Sequence, residues 1–394
     1  MTTRPDPAAP LSRSAYRRAL APDLDLRPRP GDRLVALHLL AHVGLALGLG
    51  ALAAAKAATW PLWALALLAL PAGHSLMVAA FAAHELGHGA ARFPKPVRAL
   101  LVQLGWTFAI FATPTTQHHA HNQRHHKLTN TPRDPDRRLT LEELRVAKAD
   151  GVAPWLFPNG AHPIPGALVG FAMSVFGYHT SLFWHSVLRT GELYDLELTD
   201  RARRRAIAEA CFNGGVQLAL FAASGFAGGM ALYLALTYWV GASLAGAYIA
   251  TNHLLCGLSD EAEQDELAAG VSLRMPEWLD RLHLRFSHHV EHHLFPGAAH
   301  GALPAVRAAL EARFPERFQT LTWGEALRRL LRAPLAVADK NTLAHPDGSG
   351  ARRVDFPSRD EGPFEPALTP TLLRARREAA RAPDAEREPE PEVA

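Results

Sequence analysis

The most apolar runs of this chain without Asp, Glu, Lys or Arg are 22 residues at 34–55, 28 at 57–84 and 50 at 210–259. A helix crossing the hydrocarbon core of a bilayer needs ~20 mostly apolar residues, so the first two runs supply one span each and the third supplies two. The expected spans are about 34–56, 60–83, 211–228 and 230–251, paired as two hairpins, with Gly228 and Gly229 breaking the third run and Trp60 and Trp63 anchoring the first turn at the interface. Two further apolar stretches read as lying in the interface. One, 99–112, is too short to span, and 164–188 carries Tyr178, His179, Trp184 and His185.

Basic residues orient the spans. The first 33 residues hold seven Arg against four Asp; Arg92, Lys95 and Arg98 follow the second span, and Arg201, Arg203, Arg204 and Arg205 precede the third. By the positive-inside rule both termini and the central region face the cytoplasm. No short apolar run with a cleavage site precedes the first span, so no signal peptide is expected. The reading is an all-α integral membrane protein with four transmembrane helices, interfacial helices and a cytoplasmic helical cap. Residues 1–33 form a cytoplasmic N-terminal segment and 34–334 the membrane domain. Residues 335–394, rich in Pro, Arg, Glu and Ala, read as a disordered cytoplasmic tail. The net charge of +3 is small for 394 residues and no basic face is concentrated enough to bind nucleic acid. Two cysteines, Cys211 and Cys256, exclude a disulfide scaffold and a thiolate metal site.

The 21 histidines are not spread evenly: five lie in 118–126 and four in 288–293. A third group, His84 and His88 in HELGH, stands where the second span leaves the membrane, so all three share one side. On an α-helix His84 and His88 are about 40° apart and His289, His292 and His293 cover about 100°, so each set converges from one face. In HHAHNQRHH the geometry stays open: His121, His125 and His126 span about 140°, whereas His118, His121 and His125 fit a narrower face. Eight imidazoles exceed what one tetrahedral zinc takes and suit two metal ions with open positions, a pattern that on iron points to oxygen chemistry. The plainer alternative is a polar, metal-scavenging loop. HELGH also matches the zinc metalloprotease signature HExxH, in which the glutamate is the general base, but that reading leaves the other two groups unexplained.

At these residues the chain resembles the membrane fatty acid desaturase family. HELGHG corresponds to the first histidine box, HNQRHHKLTN followed by DPD to the second, and HHVEHHLFP to the third, the resemblance running over roughly residues 34 to 315. It implies four transmembrane helices under a cytoplasmic cap, two histidine-held iron ions, O2 as co-substrate, a fatty acyl substrate in the bilayer and a separate electron donor of ferredoxin or cytochrome b5 type. The implied ligands are His84, His88, His121, His125, His126, His289, His292 and His293. His253, an ionisable residue at the end of an apolar run and so a functional candidate by itself, is the implied ninth, with Asn252 acting beside it through water. Glu85, Glu291, Asp134 and Asp136 are candidates to orient imidazole N–H groups. His289 stands where many front-end members have Gln, and the only approach to a haem-binding motif is HPDG at 345. Both features point away from the front-end branch.

The chemistry agrees with that resemblance. An unactivated methylene has no acidic proton and no leaving group, so side-chain acids and bases cannot attack it and a redox cofactor must. Imidazoles withstand such chemistry where thiolates are oxidised. The same centre can hydroxylate or ketolate if oxygen is transferred instead of a second hydrogen being removed. His38, His42 and His74 within the first two spans, and His179 and His185, read as packing or interfacial residues.

Overall fold

The structure is a computed structural model that describes residues 11–26, 30–107, 109, 111–188 and 196–366. It is mostly helical. Helix α1 (Arg13–Leu20) precedes the hairpin of α2 (Leu34–Lys56) and α3 (Leu62–His88), and α4 (Lys95–Trp106) follows. Next come α5 (Pro163–Val187), then the hairpin of α6 (Asp200–Ala223) and α7 (Gly228–His253). Among the described residues five helices, α2, α3, α5, α6 and α7, are long and apolar enough to cross a membrane. The stretch expected in the interface at 164–188 is thus as long as the others.

The bundle is built around α3, which packs against α2 and α7. Leu76, Met77, Ala79, Phe81, Ala83 and Leu86 of α3 are buried with Leu39 and Val43 of α2 and with Ala247, Tyr248 and Ala250 of α7. Because α3 and α7 both end at the same end of the bundle, His84, His88, Asn252 and His253 are brought together there. Gly89 fixes where α3 stops. It adopts φ 78°, and its N–H bonds to the Glu85 and Leu86 carbonyls, a left-handed cap that residues with a Cβ rarely form.

Helix α6 starts earlier than the apolar run predicts, because Thr199 caps it through the Ala202 N–H and the basic residues that follow are helical too. Its buried positions include Glu209, Asn213 and Gln217, a polar stripe at helical spacing. Glu209 accepts from the Thr115 backbone at 2.9 Å and from its hydroxyl at 3.0 Å. Asn213 accepts from Gln103 at 2.8 Å and donates to the Ala109 carbonyl at 3.0 Å. The stripe anchors the segment that enters the second histidine group.

Over the ends of α3 and α7 lie the third histidine group, on α8 (His289–Leu294), and the helices α9 (Leu303–Arg313) and α10 (Trp323–Leu330). Strand β1 (Ser272–Arg274) pairs in parallel with β2 (Thr320–Thr322) beside them. Helix α1 joins this layer, burying Tyr16 and Leu20 against Val290, Leu294, Val306 and Leu310.

The expectation of a disordered tail from 335 needs correction as far as residue 366. Strands β3 (Ala336–Asp339), β4 (Thr342–Ala344) and β5 (Ala351–Arg353) form an antiparallel sheet, and Val337, Leu343, Val354 and Phe364 are buried with Leu258. The few aliphatics there are spaced to face one side, which composition conceals. The rest of the expected tail, 367–394, lies outside the described residues.

Candidate metal centre

Each histidine group owes its direction to a different local structure. His84 and His88 stand on the last turn of α3, four residues apart, with rings 4.6 Å apart. The second group follows the helix start capped by Thr113, whose hydroxyl accepts from the Thr116 N–H at 3.2 Å. From His118 to His125 the backbone is a π-helix, and the His126 N–H bonds back to the His121 carbonyl five residues earlier. In that i to i+5 geometry His126 is brought round to within reach of His121, so that His125 and His126 flank His121 on either side. On α8, His289 and His293 share one face and His292 stands to the side.

The structure brings these histidines into two adjoining clusters. Nitrogens of His84, His88, His121, His126 and His292 lie within 4.8 Å of one another, as do those of His125, His253, His289 and His293. The clusters touch where the His126 and His293 rings are 4.3 Å apart and those of His121 and His125 5.0 Å apart. All nine histidines singled out in the sequence are therefore placed here, while His118, His119 and His288 belong to neither cluster.

The hydrogen bonds fix the state of several rings. His253 Nδ1 lies 3.0 Å from the Ala269 carbonyl, which only accepts, so Nδ1 carries the proton and Nε2 is a bare lone pair. His125 Nδ1 donates to Asp134 at 2.9 Å, which turns its Nε2 toward the cluster. These two Nε2 atoms face each other at 3.2 Å, and His289 Nε2 meets the same His253 nitrogen. Nitrogens that converge in this way need a proton or a metal ion between them. In the other cluster His84 and His126 Nε2 lie 2.8 and 3.0 Å from His121 Nε2, and both His292 nitrogens and His293 Nε2 are buried with no hydrogen-bond partner among the described residues. Buried polar atoms are rarely left so. This donor set fits two metal ions.

Carboxylates surround the outer nitrogens. Asp136 Oδ2 is 3.4 Å from Nδ1 of both His121 and His125. Glu85 Oε1 is 3.5 Å from His84 Nδ1 and 3.6 Å from His292 Nδ1, and Glu266 Oε2 is 3.4 Å from His293 Nδ1. Burial opposes charge on His125, but the Asp134 and Asp136 carboxylates outweigh it and push the ring up to about 9, so a metal ion binding at Nε2 displaces a proton from it. Burial, followed by neighbouring imidazoles, holds His126, His292 and His293 well below the usual histidine range, so these rings stay neutral, as ligands must. Glu291 sits elsewhere than the sequence suggested: it accepts from His288 at 3.0 Å and pairs with Arg307 at 2.6 Å and with Ser272, touching none of the nine. Both amide atoms of Asn252 are buried without a hydrogen-bond partner among the described residues. Glu266, Thr129 (3.2 Å from His293 Nδ1) and the Ala269 carbonyl escaped sequence reading. For Glu266 a signal existed, an acidic run, 260–266, directly after the last span.

A cleft of about 160 Å³ reaches His84 and His121 from outside, passing Trp106 and Gln117, with Lys95, Arg98 and Arg205 among its lining residues. Residues 58–324, most of the chain, match the fatty acid desaturase family. The chain belongs to that family. No curated protein matches it. Membership accounts for a histidine cluster able to bind metal at one end of apolar helices and implies an oxidoreductase acting on fatty acyl chains in a lipid environment.

Proposed function

We propose that this desaturase-family protein introduces a C=C bond into a fatty acyl chain, using O2 and two electrons from a separate donor of ferredoxin or cytochrome b5 type. The carrying observation is the division of nine histidines into two adjoining clusters of five and four, each with ring nitrogens within 4.8 Å of one another. In this reading His84, His88, His121, His126 and His292 hold one iron ion and His125, His253, His289 and His293 the other. Bound there, iron supplies the oxidising power to remove hydrogen from an unactivated methylene. Adjacent CH2 groups lose two hydrogens, O2 takes these with two electrons and two protons, and two waters form.

The chain's own residues arrange that event. Asp134, the Ala269 carbonyl and Thr129 hold Nδ1 of His125, His253 and His293 and keep Nε2 free to bind. Glu85 lies between His84 and His292, so it serves as an orienting carboxylate and not as the general base of a zinc protease. Asn252 completes the cluster around His253 through water. Four of the apolar helices, α2, α3, α6 and α7, span the cytoplasmic membrane as two hairpins, with α5 in the interface and both termini and the centre on the cytoplasmic side. This follows the distribution of Lys and Arg.

Expression in a host lacking the activity tests the reading. Gas chromatography with mass spectrometry of total fatty acids should show a new unsaturated species that disappears with His292→Ala. Hydroxylated or keto products without a new double bond would reassign the protein to the oxygen-transferring branch.

A further inference from the structure

Outside the metal clusters the molecule holds a second line of polar side chains. Tyr248 on α7 is fully buried, and its hydroxyl lies 2.6 Å from His283 Nδ1. The other nitrogen of His283, Nε2, is 2.9 Å from His74 Nε2 on α3. Beyond His74 the rings of His42 and His38 follow at 6.0 and 4.9 Å, and His38 Nε2 donates to the Leu282 carbonyl at 2.9 Å. Burial and the neighbouring His74 lower His283 to about 4, so it is neutral near pH 7 and always offers one lone pair.

The aromatic surroundings of Tyr248 lead in two directions. Toward the metal clusters, Tyr248 meets Phe81 at 5.4 Å and Phe286 at 5.9 Å, the two phenylalanines stack at 3.8 Å, and the Phe286 ring stands 5.3 Å from that of His84. Toward solvent, Tyr248 stacks on Trp323 at 5.0 Å with an interplanar angle of 23°. Trp323 is half-buried and lines an open cavity of about 470 Å³ with Arg274 and Met275. An unbroken series of rings thus joins a histidine of the centre to the protein surface, and its midpoint is a phenol hydrogen-bonded to a neutral imidazole.

We propose that Tyr248 is a redox-active tyrosine, oxidised through Phe286 and His84, deprotonated by His283 and re-reduced through Trp323. The proposal rests on the oxygenase reading, because the oxidant is O2 being reduced at the histidine centre. When no acyl chain is present, the two electrons that its C–H bonds would have supplied are missing, and the path brings them one at a time from a reductant at the surface through Trp323 and Tyr248. Tyr248 gives up one electron toward the centre. Its O–H bond breaks, an N–H bond forms at His283 Nδ1, and the proton on His283 Nε2 passes to His74 Nε2. Trp323 then returns an electron to the phenoxyl, which recovers its proton from His283, and a one-electron reductant at the surface restores Trp323. The path discharges oxidising equivalents that would otherwise attack the ligands and Met275, which contacts the Tyr248 hydroxyl at 2.9 Å.

Two arms test this. In the first, purified protein is photo-oxidised by a flash-quenched ruthenium complex and examined by electron paramagnetic resonance. A neutral tyrosyl radical is expected, lost in Tyr248→Phe, retained in Tyr238→Phe and shortened in lifetime in His283→Phe. A signal indifferent to Tyr248→Phe, or none at all, overturns the proposal. In the second arm, reduced, iron-loaded protein meets O2 without acyl substrate. The same radical should appear, and Tyr248→Phe should inactivate faster, with more oxidised Met and His by mass spectrometry. A radical in the first arm but not in the second, despite O2 uptake, shows that Tyr248 is not connected to the centre and overturns the discharge role. Absence of O2 uptake without acyl substrate overturns the discharge role, and its absence with acyl substrate as well refutes the oxygenase reading, while the first arm still decides whether Tyr248 and His283 form a redox pair.

Discussion

Asp134 accepts from His125 Nδ1 at 2.9 Å while being held itself by the backbone N–H groups of Asn130 at 2.7 Å and Asp136 at 2.9 Å. The carboxylate therefore cannot turn away, and it sets both the tautomer and the aim of the imidazole. Both oxygens take part in the contact with His125, so Asp134→Asn sets an amide NH2 against the His125 N–H and against one of the two backbone N–H groups, losing that bond and the negative charge. We expect metal affinity to fall about 10–100-fold, read as iron per protein after dialysis against a chelator. Unchanged retention would remove Asp134 from the centre.

The two clusters predict separable losses. His253→Ala removes a ligand from the cluster that includes His125, His289 and His293, and His88→Ala removes one from the other. Each variant should retain about one iron instead of about two, since a metal site missing a ligand loses most of its affinity. Elemental analysis reads the result directly. If neither substitution changes the iron content, the assignment of histidines to the two sites is wrong.

How far the sequence anticipates this site depends on the backbone each histidine occupies. On α3 and α8 the α-helical spacing holds, so the shared faces of His84 with His88 and of His289 with His293 follow from residue numbers. Between 118 and 125 it does not, because the π-helix narrows the angle per residue and sets His125 and His126 on either side of His121. No residue type announces a π-helix, so the ambiguity there was physical. The apolar runs disclosed the helices α2, α3, α6 and α7 but not the start of α6, which a cap and a charged turn extend. Arg13 and Glu266 are 253 residues apart and meet only through the fold, so nothing local could pair them.

That pair carries the third prediction. The Arg13 guanidinium donates to Glu266 Oε1 at 2.8 Å, and Glu266, itself buried, faces His293 with its other oxygen. Next to it Tyr16 donates to Asp265 at 2.9 Å and Arg317 reaches the same carboxylate at 3.2 Å. Arg13→Gln leaves Glu266 buried without its cation, a loss of about 1–3 kcal/mol. A lower Tm in the metal-free protein and poorer iron retention are expected together. A variant that melts and binds iron like the parent would show that α1 is not part of the centre.

A fourth prediction concerns the seat of His84. A Cβ on Gly105 of α4 would stand 2.4 Å from the Ala83 Cβ and 2.8 Å from the Ala79 carbonyl, distances that no relaxed contact allows. Gly105→Ala must push α4 away from α3 at the residue before His84, on the wall of the cleft that reaches His84 and His121. Overpacking of this kind costs about 1–3 kcal/mol, and here the displacement falls on a residue that aims a ligand. We expect turnover to drop more than stability does, measured as product per iron against Tm. Gly44→Ala on α2 is the control, because its Cβ meets nothing within 4 Å and the change favours helix. Equal effects from the two substitutions would mean that the α3–α4 contact does not position His84.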